Sequence, residues 1–326
     1  MSLWRYMTVT GQASGNGPVP LRPFTFAGLW DAPFNLFRRA ARLMLLITAV
    51  VVVPVQVLLG YLDAGVLASV DFGDMVTGPQ GPERVLDDLL METADPVNSM
   101  LGWVVSLASG IVLMPIVTGL LARVGVSTAL GERIGGEQAR KATQPKWWAL
   151  IGATVLTWLI AFVPVFVAAF VGVFLAVLAG PVGVVLFLLV AVMCIAYLAA
   201  VYTLLGLAPV ILVTERAPLM QALRRSYDLV KPRFWGYLWV MIVAYVIVWA
   251  VMGAVALIPT MVGMFTGGVP GAVAFTFGEL LGQMITTPYM ALLAVGIFLD
   301  ARIRREGLDV EIQADTAHGG GLASAR

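Results

Sequence analysis

Six separate stretches of this chain are each apolar over the roughly 20 residues that a helix needs to cross about 30 Å of hydrocarbon. They cover approximately 43–62, 100–122, 147–177, 182–213, 234–258 and 274–299. A backbone in lipid must satisfy its own hydrogen bonds, so the expected fold is all-α, a polytopic integral membrane protein with six transmembrane helices. Composition points the same way. With 60% hydrophobic and 12% charged residues, the chain lacks the polar surface that a water-soluble domain of its length requires. The third and fourth stretches exceed a perpendicular span, which calls for tilt or for extension beyond the bilayer. Between them, Leu178-Ala179-Gly180-Pro181-Val182-Gly183 supplies the glycines and proline of a tight reversal, making the two a hairpin.

Orientation follows from the basic residues, because cationic connections stay on the cytoplasmic side. Arg5, Arg22, Arg38, Arg39 and Arg42 precede or open the first span, and Arg123, Arg133, Arg140, Lys141 and Lys146 fill the second connection. Arg216, Arg224, Arg225, Lys231 and Arg233 fill the fourth, and Arg302, Arg304, Arg305 and Arg326 follow the last span. Only Arg84 falls on the other side, in a connection (63–99) rich in acids from Asp63 to Asp95. An even number of spans with both termini cytoplasmic results. The net charge of +1 hides this segregation, and no basic domain suggests a nucleic-acid partner.

The chain divides into a flexible N-terminal segment (1–25), a six-helix membrane domain (26–313, with outer loop 63–99) and a disordered C-terminal tail (314–326). Residues 1–25 lack an apolar signal-peptide core, so the first span reads as a retained signal anchor. Before it, Phe26, Trp30, Phe34, Phe37 and Ala41 fall on one helical face, with Asp31, Asn35, Arg38 and Arg42 opposite. The pattern predicts an interfacial helix lying in the membrane plane. The design recurs before the fifth span, where Leu219, Leu223, Tyr227, Val230 and Phe234 oppose Gln221, Arg224, Arg225, Asp228 and Lys231. Before the third span only the basic and aromatic entry Arg140-Lys141-Ala142-Thr143-Gln144-Pro145-Lys146-Trp147-Trp148 recurs, since Gly131, Gly135 and Gly136 weaken a helix there. Two readings stand: a degenerate threefold repeat of amphipathic element plus hairpin, or the basic and aromatic anchoring common to any span entry.

Catalytic machinery is hard to assemble from these residues. The lone Cys194 excludes an intrachain disulfide, and the lone His318 sits in the Gly-rich tail. Metal-ligand sets, Ser-His triads and a phosphate-binding Gly-Lys-Ser/Thr loop are all missing from the sequence, so no catalytic residue, metal or cofactor is expected. One acid, Glu279, lies in or at the edge of a span, and Gln283 and Thr286 share its helical face. Gln56 is the comparable amide on the first span. Such a stripe either binds a polar headgroup or a proton inside the bundle, or sits at the outer headgroup level. Pro54, Pro115, Pro164, Pro209, Pro259 and Pro288 punctuate the spans and are expected to kink them.

Three segments carry a family resemblance: Leu21-Arg22-Pro23-Phe24-Thr25-Phe26, Ala217-Pro218-Leu219-Met220-Gln221-Ala222-Leu223-Arg224-Arg225-Ser226-Tyr227-Asp228-Leu229-Val230, and Phe298-Leu299-Asp300-Ala301-Arg302-Ile303-Arg304-Arg305-Glu306-Gly307-Leu308-Asp309. They resemble the membrane domain of glycerophosphoryl diester phosphodiesterase-type proteins. The resemblance implies a bacterial plasma-membrane protein. It implies no phosphodiesterase activity, which belongs to a separate metal-dependent domain. The function expected is a non-enzymatic factor that organises or senses membrane lipids or partner proteins. Its headgroup contacts would be Arg38, Arg39, Arg224, Arg225, Lys231 and Arg233. The alternative is a transporter or lipid-translocating protein with a polar cavity near Glu279 and Gln283, and a membrane-embedded enzyme is a third reading. Partners are membrane lipids, with a membrane-protein partner or a second copy of the chain also compatible.

Overall fold

A computed structural model describes residues 26–69, 96–132, 134–266 and 268–306. All elements among them are helical. The N-terminal segment, most of the outer loop and the C-terminal tail lie outside the described residues. Helix α1 is Phe26–Ser69. Helix α2 runs Pro96–Ala108, through the π-helical turn Ser109–Leu113, to Met114–Ala129. The short α3, Gly136–Thr143, leads by a 3₁₀ turn into Trp147–Leu205. That helix reverses at Gly180 (φ 56°, ψ −132°), so it is two elements, α4 (147–179) and α5 (181–205). Then follow α6, Ala208–Thr214; α7, Leu219–Val230; α8, Phe234–Thr266; and α9, Gly268–Glu306. Six of these stretches, built on α1, α2, α4, α5, α8 and α9, are long and apolar enough to cross a membrane. The chain is an all-α polytopic membrane protein.

The reversal expected at 178–183 is present. Gly180 adopts a left-handed conformation that a side chain would strain. At Gly183 a Cβ would fall 2.2 Å from the Leu175 carbonyl oxygen, so the first turn of α5 passes the end of α4 on a glycine. The helix expected over 26–40 is present and ends at Ala40, whose backbone is not helical (φ −119°, ψ 16°). Its protein-facing side is Leu29, Ala32, Pro33 and Leu36, while Phe34 is exposed. A helix before the third span also forms despite its glycines. The Gly135 N–H donates to the Gln138 side chain at 3.1 Å, which caps α3 and offsets the weak local propensity. α3 and α7 thus share one design: an amphipathic helix, a 3₁₀ turn of Gln144–Lys146 or Lys231–Arg233 with proline at its centre, and a span opening on Trp147-Trp148 or Phe234-Trp235.

Two compact units emerge from the contacts. The first comprises the described residues up to Ala40, Thr118–Ala244, and those from Ala291 on. Its core is the last part of α9, where every residue from Ala291 to Asp300 is buried. Other helices reach that core through small residues: a Cβ on Gly125 of α2 would meet Leu292 at 2.7 Å, and one on Gly296 would meet Ala32 of α1 at 4.0 Å. The second unit is Ala41–Val117 with Tyr245–Met290. There α1 buries Met44, Thr48, Val52 and Gln56 at four-residue intervals, one continuous helical face. Gly278 and Gly282 of α9 pack against Ala256, Pro259 and Met252 of α8, the close backbone approach on which helix association in lipid depends.

Candidate functional site

The first unit concentrates its charged chemistry around α7. This helix starts after an extended Pro218, whose carbonyl accepts the first intrahelical bond from the Ala222 N–H at 2.9 Å. It buries Ala222, Leu223, Ser226, Leu229 and Val230. Ser226 is fully enclosed and its hydroxyl donates to the Leu204 carbonyl at 2.7 Å. That oxygen lies in the last turn of α5, where a helix runs out of amide donors and orphan carbonyls need outside partners. The linker ahead of α7 is held as well. Arg216 has a left-handed backbone (φ 51°), and the Lys146 ammonium donates to its carbonyl at 2.8 Å and to that of Ala217 at 3.3 Å.

An ion-pair network joins α7 to the end of α9. Arg225 pairs with Glu215 and, at 2.8 Å, with Glu306. Glu306 also receives Arg302 at 2.8 Å. Six residues earlier the fully buried Asp300 accepts from the Tyr237 hydroxyl at 2.9 Å and from Arg304 Nε at 2.9 and 3.0 Å. The Arg305 guanidinium donates to the backbone carbonyl of Asp228. Arg225 and Glu306 lie outside the apolar stretches. Burial alone would lower the Arg225 pKa, but Glu215 and Glu306 outweigh it and hold the guanidinium above its ordinary value. Burial likewise pushes Glu306 up, and Arg302 and Arg225 overcome that and hold it below. Both groups remain charged because each supplies the other's counter-ion.

The neighbouring arginine has a different setting. Arg224 is exposed, on one stripe with Gln221 and Tyr227 of α7 and Lys231 of the turn that follows. Beside this stripe opens a groove of about 720 Å³ between α4, α5 and α7. Its wall is apolar, made by Leu156, Ile160, Val201, Leu204 and Leu205, and its α7 rim carries Gln221, Arg224 and Tyr227. A second groove of about 560 Å³ continues from Leu204 and Tyr227 to Lys231, Arg233 and Trp235. Lys231 Nζ lies 5.4 Å from the centre of the Tyr227 ring, within cation–π range. At the far end of the wall, the Tyr197 hydroxyl of α5 donates to the Ile160 carbonyl at 2.7 Å. Its helical partner would be the amide of residue 164, which is proline and has none. Tyr197 therefore supplies the bond that Pro164 removes, and ties α4 to α5.

The six headgroup candidates thus separate. Arg38, Arg39, Arg224, Lys231 and Arg233 are exposed, whereas Arg225 is committed to Glu215 and Glu306, and its charge serves the fold. The polar residues of the second unit separate too. Gln56 and Thr286 are buried, Gln283 is half-buried and Glu279 is on the exposed side of α9. A Cβ on Gly60 would strike Thr276 Oγ1 at 2.2 Å, so α1 and α9 touch there. One turn along this antiparallel pair brings Gln56 to the level of Glu279 and Gln283. Thr286 donates to its own Gly282 carbonyl at 2.9 Å and approaches Met252 Sδ at 3.6 Å. None of the four lines the grooves described above.

Sequence reasoning missed Glu215, Tyr237, Asp300 and Glu306. Two pairs had a readable signal, the four-residue spacings Asp300–Arg304 and Arg302–Glu306. Tyr237 and Glu215 had none. No family model, no curated protein and no solved structure matches this chain.

Proposed function

We propose that this chain is a non-enzymatic protein of the bacterial plasma membrane that organises or senses lipids through cationic elements at the cytoplasmic face. One observation carries the reading. Arg224 of α7 and Lys231 and Arg233 of the 3₁₀ turn after it stand exposed beside open apolar grooves, while the other arginine of α7, Arg225, is neutralised internally. Exposed cations next to apolar surface suit anionic headgroups with attached chains. Arg38 and Arg39 add a second exposed pair. The cytoplasmic placement of these residues rests on the distribution of lysine and arginine, and N-in, C-in topology goes with it. Kinship with the phosphodiesterase-type membrane domain rests on the three sequence segments. Two of them form α7 and the end of α9, which the ion-pair network joins.

The transport alternative draws less support. Glu279 is on the exposed side of α9, and none of Gln56, Glu279, Gln283 and Thr286 lines either groove.

The test is energy transfer from the protein's tryptophans to labelled lipids in reconstituted vesicles, with anionic or zwitterionic probes. Transfer to the anionic probe should be the greater and should fall with added salt. Arg38→Glu, Arg39→Glu and Arg224→Glu combined should remove the excess, while Glu279→Gln leaves it intact. Equal transfer to both probes in the unmodified protein would refute the proposal.

A further inference from the structure

We infer that the groove bounded by α4, α5 and α7 holds one anionic phospholipid, its phosphate on Arg224 and an acyl chain along the wall. This rests on the lipid-directed reading above and makes it specific to one site.

Size, shape and charge converge on this occupant. A volume of about 720 Å³ falls within the roughly 300–1,000 Å³ typical of small-molecule sites. The lining is polarised along its length. Ile160, more than three turns into α4, ends the apolar wall, while Gln221, Arg224 and Tyr227 gather at the α7 rim. A phospholipid has that same polarity. The rim also suits a phosphate: a guanidinium binds it through paired donors, and the Gln221 amide and Tyr227 hydroxyl add donors beside it. Across the stripe and the continuing groove, Arg224, Lys231 and Arg233 outnumber the single acid Asp228, so an anionic headgroup is favoured over a zwitterionic one.

The site is also held in shape. Ser226 fixes α7 to Leu204, Lys146 fixes the linker, Arg225 ties α7 to α9, and Tyr197 locks the far wall. With Arg225 occupied by Glu215 and Glu306, those carboxylates are spent and Arg224 keeps its charge for a ligand. Ile160, Met220 and Tyr227 are 39%, 68% and 39% exposed, so a chain can enter sideways from the lipid phase.

Native mass spectrometry of the full chain, released from bilayers of mixed phosphatidylglycerol and phosphatidylethanolamine, tests this. The expected result is one retained phosphatidylglycerol per chain in preference to phosphatidylethanolamine, because both lipids offer Arg224 a phosphate and only the second carries an ammonium that Arg224, Lys231 and Arg233 repel. Arg224→Ala should abolish the preference and Arg224→Lys should keep part of it. Met220→Trp, at an exposed position that narrows the groove, should lose the retained lipid while the tryptophan-to-lipid transfer still reports anionic enrichment. Retention unchanged in Arg224→Ala and Met220→Trp would overturn the assignment, with both variants checked for an unaltered melting temperature. A lipid-free pair of chains would overturn it also, by giving the groove to a second copy. Loss of the enrichment signal in the unmodified protein is the separate result that removes the wider reading.

Discussion

Replacing Tyr197 by phenylalanine deletes one oxygen and leaves the ring in place. The hydroxyl donates to the Ile160 carbonyl at 2.7 Å, the acceptor left without an amide donor by Pro164. In water a lost hydrogen bond of this kind is largely replaced by solvent. Here Tyr197 lies in the most apolar hairpin of the chain, and a carbonyl exposed to hydrocarbon finds no substitute. An unsatisfied carbonyl costs about 1–3 kcal/mol, while hydrogen bonds between membrane helices average about 0.6 and reach about 1.7 kcal/mol. The overlap of these ranges gives about 1.5 kcal/mol for Tyr197→Phe, near a ten-fold change in the unfolding constant. The sharper test adds Pro164→Ala, which restores the amide at residue 164. In that background Tyr197→Phe should cost only about 0.5 kcal/mol, because the carbonyl regains its helical donor. Unfolding titrations in mixed detergent micelles measure both values. An equal cost in the two backgrounds would refute the idea that the tyrosine replaces the bond proline removes.

Asp300→Ala should cost about 1–3 kcal/mol in the same titration, since it removes the acceptor of the buried Tyr237 hydroxyl while the exposed Arg304 can turn to solvent. Gly60→Ala should cost about 1–3 kcal/mol from overpacking against Thr276, and Thr276→Ala in the same chain should recover most of it. Acid should loosen the α7 anchor with a defined sign. Glu306 is held below its ordinary value of 4.5, so its contribution is complete above that pH and is lost as pH falls through the depressed value. Protease cleavage in the 215–218 linker should therefore be flat from pH 7 to about 4.5 and rise below, with Glu306→Gln fast throughout. A rate in Glu306→Gln equal to the unmodified protein's at pH 7 would argue against the anchor.

What the sequence disclosed was what local chemistry decides. Hydropathy located six spans because lipid demands continuous apolar helix. The Gly180-Pro181 reversal was readable because only glycine accepts its backbone angles. Propensity erred at α3, where Gly135 and Gly136 argued against a helix that a side-chain cap from Gln138 sustains. Helical periodicity placed Arg224 and Arg225 together on a polar face but could not divide them. Adjacent residues differ by about 100° around a helix, and the acids that claim Arg225 come from 215 and 306. The groove was hidden for the same reason. Its residues are drawn from three helices, and the hydroxyl that locks it lies 37 residues from its acceptor.

The central claim is that exposed cations beside α7 recruit anionic lipid, and the lipids that accompany the protein report on this directly. The protein should be extracted with its native bilayer into polymer-bounded particles, and its lipid composition compared with that of Arg224→Glu, Lys231→Glu and Arg233→Glu combined. Enrichment of anionic phospholipid over the surrounding membrane, abolished in the variant, is the predicted result. Identical compositions for the two proteins, matching the bulk membrane, would contradict it.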